Sequence, residues 1–255
     1  TKESELKVSY DLLVCVNRLD ESDAETWNTL DDIKPTLEEQ KALLEFRALL
    51  LSKFPAENEA GESADSWSVT PPAQIQGAGL LLNVGYNKAS AILPELLALS
   101  RENQLALLDY QSSRIYRPDG FSGVTLEVEE KASYLAPTKK QIEEAVNSLT
   151  AKGGPSLLFM ARGTEDYVQI AGGDGIYTLE WREYSSGAFK HFVAGTKVGN
   201  KTKEVQIKSN GFHMTVMENE KLGAAEAASL MTAFAGAQVR PNDVEWRDIT
   251  GNFSS

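Results

Sequence analysis

Four β-rich runs, Ser156–Arg162, Asp166–Ala171, Gly175–Tyr184 and Ala188–Ala194, follow one another with only short glycine-bearing turns between them. The turns read Arg-Gly-Thr-Glu, Gly-Gly-Asp-Gly and Ser-Ser-Gly. Connections this short join only antiparallel neighbours, because a parallel crossover needs a dozen or more residues. This stretch is therefore expected to form an antiparallel meander, and the rest of the chain must accommodate that sheet.

The surroundings of the meander are legible too. Thr138-Lys-Lys-Gln141 is a capping box opening a helix with Ile142, Ala145, Val146 and Leu149 on one face, and Gly153-Gly154-Pro155 stops it. After the meander, Glu204–Lys208 and Phe212–Met217 predict a hairpin across Ser209-Asn-Gly211. An alanine-rich helix from Ala224 to Ala235 and an edge strand at Val244–Asp248 complete residues 138–255, read as one module.

Residues 9–117 read differently. Ser9–Val16 is apolar and β-branched enough for a buried strand, and a short helix is expected from Asp23 to Leu30. Thr36-Leu-Glu-Glu39 is a second capping box, opening a helix over Leu37–Lys53. There Leu37, Lys41, Leu44, Ala48 and Leu51 recur at helical spacing, with Leu43, Leu50 and Phe54 beside them, and predict one wide buried face. A polar acidic loop spans Ala56–Asp65. Strands follow from Ser66 toward Ile75 and over Ala78–Tyr86, then a helix opening at Asn87 or Ser90 with Pro94 in its first turn. Leu105–Tyr110, extended or paired by Arg114–Tyr116, ends the series. Strand, helix, strand, strand, helix, strand is the order of a ferredoxin-like α+β sandwich. Residues 118–137, rich in turns but carrying a strand at Val124–Val128, read as the linker, and residues 1–8 as a disordered, processed or engineered end. The expected fold class is α+β in two modules, without internal repeats.

Composition narrows the function. With 255 residues, 42% hydrophobic and 24% charged, the chain can bury a real core. One cysteine, Cys15, excludes an internal disulfide framework. No apolar run approaches the ~20 residues of a membrane helix. The polar start Thr1–Lys7 lacks a signal peptide's apolar stretch, so the expected address is the cytoplasm, with no membrane partner. Net charge is −12, and all of it falls in residues 1–130, where 11 basic residues meet 23 acidic ones; residues 131–255 hold 14 of each. Such a field repels phosphate backbones, which argues against direct nucleic-acid binding, and favours basic partners.

Groups able to do chemistry are scarce. His191 and His213 lie in predicted strands outside any zinc spacing, and Cys15 alternates with Val14 and Val16 as a buried thiol should. Neither a Gly-x-Ser-x-Gly elbow nor a phosphate-binding Gly-x-x-x-x-Gly-Lys loop occurs. Gly172-Gly-Asp-Gly175 lies between two strands, so it is a hairpin turn and not an anion cradle. Glu129-Glu130 and Glu143-Glu144 are ordinary for an acidic chain. No catalytic residue, cofactor or metal is expected. Tyr167, Tyr177, Trp181, Tyr184, Phe189 and Phe192 alternate through the meander, either as core and cross-strand pairs or as a recognition surface.

The run from Ser156-Leu-Leu-Phe-Met-Ala-Arg through Gly-Gly-Asp-Gly-Ile-Tyr-Thr-Leu-Glu-Trp-Arg-Glu-Tyr184 resembles the central meander of bacterial immunity proteins, which bind and block secreted polymorphic toxins. The helices at Thr138–Lys152 and Ala224–Ala235 fit that outline. Ser9-Tyr-Asp-Leu-Leu-Val and Leu105–Gln111 are similar to uncharacterised bacterial ferredoxin-like domains found in the same setting. The resemblance covers about residues 137–250 and, more loosely, 9–117, and it assigns no functional residue. It implies a non-catalytic inhibitor of a cytoplasm-acting interbacterial toxin, such as a nuclease or an NAD-consuming enzyme. An adaptor or chaperone for a secreted effector, and an enzyme without recognisable motifs, are the alternatives. For a basic protein partner, the expected contact residues are Glu57, Glu59, Glu62 and Asp65 of the acidic loop, with Tyr177, Trp181 and Tyr184 of the meander. Asp20–Glu25 is a further acidic cluster.

Overall fold

Apolar residues at both parities of the first strand demand cover on both sides, and that governs the first half of the chain. The structure, a computed structural model, describes residues 9–18, 23–30, 34–56, 67, 73–131, 133–185, 187–237 and 239–253. It divides the chain into two units, Thr1–Asp119 and Gly120–Ser255.

In the first unit, β1 (Ser9–Val16) is followed by α1 (Asp23–Thr29), α2 (Leu37–Lys53), β2 (Ala73–Gln76), β3 (Gly79–Gly85), α3 (Ala89–Glu102), β4 (Leu105–Asp109) and β5 (Arg114–Tyr116). The strands make one antiparallel sheet in the order β2-β3-β1-β4-β5. Leu12 and Val14 pack with Leu43, Phe46 and Leu50 of α2 and Ile92 and Leu96 of α3. Leu13 and Cys15 point the other way, to Leu30, Leu108 and Ile115, with Trp27 of α1 against them. Buried Arg117 fixes α1 by binding Asp23 at 3.2 Å and Thr26 at 3.1 Å. Buried Asp109 accepts from the hydroxyls of Tyr10 (2.6 Å) and Ser112 (2.8 Å) and from the amides of Gln111 and Ser112, tying the β4–β5 turn to β1.

The Thr36–Glu39 box closes as expected, with the Glu39 amide donating to Thr36 Oγ1 and the Thr36 amide to Glu39 Oε2. The buried line of α2 is Leu43, Phe46 and Leu50, however, while Leu37, Lys41, Leu44 and Ala48 face solvent. The helix carries apolar residues on two opposite sides, and the sheet takes only one. Pro94 lies deeper than expected, because a 3-10 turn at Tyr86–Lys88 runs into α3 and moves its start toward the N-terminus. The Ser66–Ile75 strand lies largely outside the described residues. Within them, Trp67 bridges Val84 and β2 begins at Ala73.

The second unit contains β6 (Val124–Val128), β7 (Tyr134–Leu135), α4 (Lys139–Asn147), β8 (Leu157–Arg162), β9 (Asp166–Gly173), β10 (Ile176–Ser185), β11 (Ala188–Gly195), β12 (Glu204–Ser209), β13 (Phe212–Met217), α5 (Ala224–Ala237) and β14 (Glu245–Asp248). The meander forms with its expected turns. Asp174 and Gly175 both take positive φ, as do Asn210 and Gly211 between β12 and β13, the requirement of a type I′ hairpin. Around it grows a seven-stranded antiparallel sheet in the order β14-β11-β10-β9-β8-β6-β7. Residues 118–137 are thus not a linker: Val124–Val128 pairs with Leu158–Arg162, and Val124, Leu126 and Val128 enter the core. The strand at Val124–Val128 forms with its expected bounds; what the sequence does not show is its partner, which is remote along the chain. Helices α4 and α5 cover one face, packing Ile142, Val146, Met231 and Phe234 on Leu158, Val168, Leu179 and Trp181.

Candidate functional site

The face of the seven-stranded sheet opposite α4 and α5 is set by strand register. Across β8, β9, β10 and β11, one row reads Ala161, Tyr167, Arg182, His191, and the next Phe159, Gln169, Glu180, Val193. Tyr184 and Phe189 pair beyond them. Because side chains alternate, all of these point away from the helices. Their rings form a connected strip. Phe159 and Tyr167 stand 5.0 Å apart, Tyr167 meets His191 edge-on at 5.8 Å, and Phe253 stacks on His191 at 4.5 Å and 7°. The Arg182 guanidinium lies 4.1 Å from the Phe189 ring centre and 5.6 Å from that of Tyr167, held between two π faces.

His191 is the buried centre of this strip. Its amide donates to Thr250 Oγ1 at 2.9 Å and its carbonyl accepts from the Ile249 amide at 2.8 Å, so the closing 3-10 turn Thr250–Phe253 is laid over the ring. His191 Nε2 lies 2.9 Å from Glu180 Oε2, and Gln169 Nε2 donates to the same oxygen at 2.7 Å. The contact with His191 holds the Glu180 carboxyl below its ordinary range, against burial, which pushes it up. Glu180 thus accepts from Gln169 and lies in close contact with the imidazole, which ties the ring to the next strand. The strip is built to keep its aromatic rings in place.

Tyr184, beyond the strip, borders an open groove of about 590 Å³ that also takes in Asp166, Glu183, Val239, Arg240 and Trp246. Asp166 accepts the Tyr184 amide at 2.6 Å. Arg240 lies 3.5 Å above the centre of Phe192 and donates to Glu183 Oε1 at 2.9 Å. The groove therefore offers an exposed tyrosine and carboxylates beside an arginine already engaged by ring and carboxylate.

Of the residues expected to meet a partner, Tyr184 alone is exposed among the described residues. Tyr177 and Trp181 belong to the core: the Tyr177 hydroxyl donates to the Val146 carbonyl at 3.1 Å, and Trp181 meets Phe234 at 5.1 Å and Trp246 at 5.6 Å. Their parity puts them under the helices, so neither can anchor a partner without leaving the core. Glu57, Glu59, Glu62 and Asp65 lie outside the described residues, as do Asp20, Glu21 and Ser22. Asp23, from the same cluster, is bound to Arg117. Cys15 is buried, and His213 is exposed on β13. Sequence reasoning missed Arg182, although its alternation with Glu180 and Tyr184 was the available signal, and Phe253, which lies in no periodic segment.

Among the described residues no group of three or more His, Cys, Asp or Glu side chains is placed to hold a metal ion. No helix among them is long and apolar enough to cross a membrane. No family model matches the chain, and no curated protein matches it.

Proposed function

We propose that this chain is a non-catalytic immunity protein that binds a cytoplasm-acting interbacterial toxin and neutralises it by covering its working surface. The observation that carries this reading is the aromatic strip of Phe159, Tyr167, Phe189 and Phe253, with Arg182 held between its rings, on the sheet face that α4 and α5 leave uncovered. Aromatic residues and arginine are the side chains enriched at binding hot spots, and rings fixed in advance lose little entropy on association. The acidic excess supports a basic partner. Counted by unit, 11 basic residues meet 20 acidic ones in the first, and 14 meet 17 in the second. Complementary charge would then speed the encounter. We read the first unit as ferredoxin-like: its order β2-β3-β1-β4, with β5 appended, is that of a split βαβ pair.

The test is protection. The product of the neighbouring open reading frame, the candidate toxin, is expressed in a susceptible host with and without the chain, and the purified pair is titrated. Growth restored by the chain, with toxin activity abolished at one equivalent, is the expected result. In Arg182→Ala with Tyr184→Ala, affinity should fall more than tenfold, about 1.4 kcal/mol. A chain that binds the toxin yet leaves it active, as an adaptor would, overturns the reading.

A further inference from the structure

Among the described residues, helix α2 keeps an apolar stripe exposed to solvent. Leu43, Phe46 and Leu50 face the sheet, while Leu37 (86% exposed), Leu44 (52% exposed) and Ala48 lie along the opposite side, and the line ends at Leu51, half-buried and packed against the core of its own unit. The spacing of Leu37, Leu44 and Leu51 is seven residues, and Lys41 and Ala48 fill the alternate positions. This is the seam pattern of two helices packing together, and it stands apart from the scattered single exposed leucine that needs no explanation.

We propose that this stripe is the seam of a homodimer, in which α2 of a second copy packs antiparallel against it about a two-fold axis beside Leu44. The pattern is self-complementary under that operation, as an isologous interface must be. Leu44 meets its own copy, Leu37 lies by Leu51, and the long stem of Lys41 lies over Ala48, whose small side chain leaves it room. Charge agrees. Of the other charges on the helix, Glu39 pairs with Arg18, Lys53 with Glu95, and Arg47 donates to the Ala73 carbonyl, while Glu38 is exposed beside the seam. Lys41 and Glu45, 3.8 Å apart and both well exposed, remain on the seam, where each lies near the other's counterpart in the second copy. Helix α2 holds three acidic and three basic residues, so its surface neither repels a copy of itself nor selects a basic partner. A helix of 17 residues is about 25 Å long and offers a few hundred Å² per partner, below the ~800 Å² of a standard interface. The dimer is therefore reversible, with dissociation in a range of about 1–100 µM.

The full chain measured by light scattering and sedimentation should rise from 27.9 kDa toward twice that mass as its concentration increases through this range. Leu44→Glu should keep the circular dichroism spectrum and remain a single chain throughout. Lys41→Glu should weaken the dimer about tenfold, and Lys41→Glu with Glu45→Lys should restore it. Under mild oxidation Leu44→Cys should cross-link to its copy and Leu37→Cys should not, because only the axis position meets itself. A chain that stays single to ~500 µM, a dimer indifferent to Leu44→Glu, or Leu37→Cys cross-linking as readily as Leu44→Cys would each overturn the proposal. So would a single-chain protein whose toxin protection fails in Leu44→Glu, which would assign the stripe to the toxin.

Discussion

Glu180 shows how one side chain links fold stability to the surface above it. Its carboxyl is held below the ordinary range by His191, so its contribution is complete above the unfolded value near 4.3 and is lost as pH falls through the lowered value. Thermal denaturation between pH 7 and pH 3 should show the melting temperature falling on the acid side, and Glu180→Gln should flatten that part of the profile. An unchanged slope in Glu180→Gln would mean that other carboxylates carry the acid sensitivity. Trp181 makes the contrasting case. Because it is buried against Phe234 and Trp246, Trp181→Ala should cost about 3–5 kcal/mol in urea unfolding, and any loss of binding it caused would report an unfolded unit. Arg182→Ala, on the other parity of the same strand, should leave the unfolding free energy in urea within about 1 kcal/mol of wild type while it weakens the toxin binding proposed above.

At the scale of elements, the two capping boxes and the two type I′ turns act locally and were legible locally. Thr36→Ala removes the acceptor of the Glu39 amide and should destabilise the first unit by about 1 kcal/mol, read from its unfolding transition. Helix α2 marks where local pattern stops being informative. Its sequence announces a helix at Thr36, but with leucines around most of the cylinder the periodicity does not say which side the sheet will take. The line containing Phe46 won, because it meets Leu12, Val14 and Leu82 of the sheet, and Leu37 and Leu44 were left outside.

The whole molecule is partitioned by pairing that composition does not reveal. The turn-rich sequence places a linker over 118–137, whereas the second sheet claims everything from Gly120 because β6 pairs with β8. A fragment beginning at Gly120 should therefore fold, with dispersed amide resonances, while one beginning at Thr138 should not, having lost Val124, Leu126 and Val128 from its core. Limited proteolysis should spare 120–137 for the same reason, and early cleavage there would count against this assignment. Association with a basic toxin should slow as salt rises through ~50–500 mM, and reversing Glu57, Glu59, Glu62 and Asp65 to Lys should reproduce that slowing at low salt. Rates that ignore both changes would leave binding to the aromatic strip alone.

The sequence by itself determined what depends on neighbours along the chain. The meander follows from its short turns, the helix starts from Thr36 and Thr138, the hairpins from Asp174-Gly175 and Asn210-Gly211, and the burial of Cys15 from the apolar residues beside it. These are set within a few residues by hydrogen bonding and backbone sterics, so they can be read in order. Only the tertiary structure decided which parity of β10 met the helices. A period of two says that Trp181 and Arg182 oppose each other, yet it is silent on which of them lies under α5. That choice sent Tyr177 and Trp181 inward, brought Tyr167, Arg182 and Phe189 together outside, and drew Phe253 over His191. It depends on contacts such as Trp181 with Phe234 and His191 with Phe253, remote in sequence, whose free energy belongs to the packed sheet and to no segment of the chain.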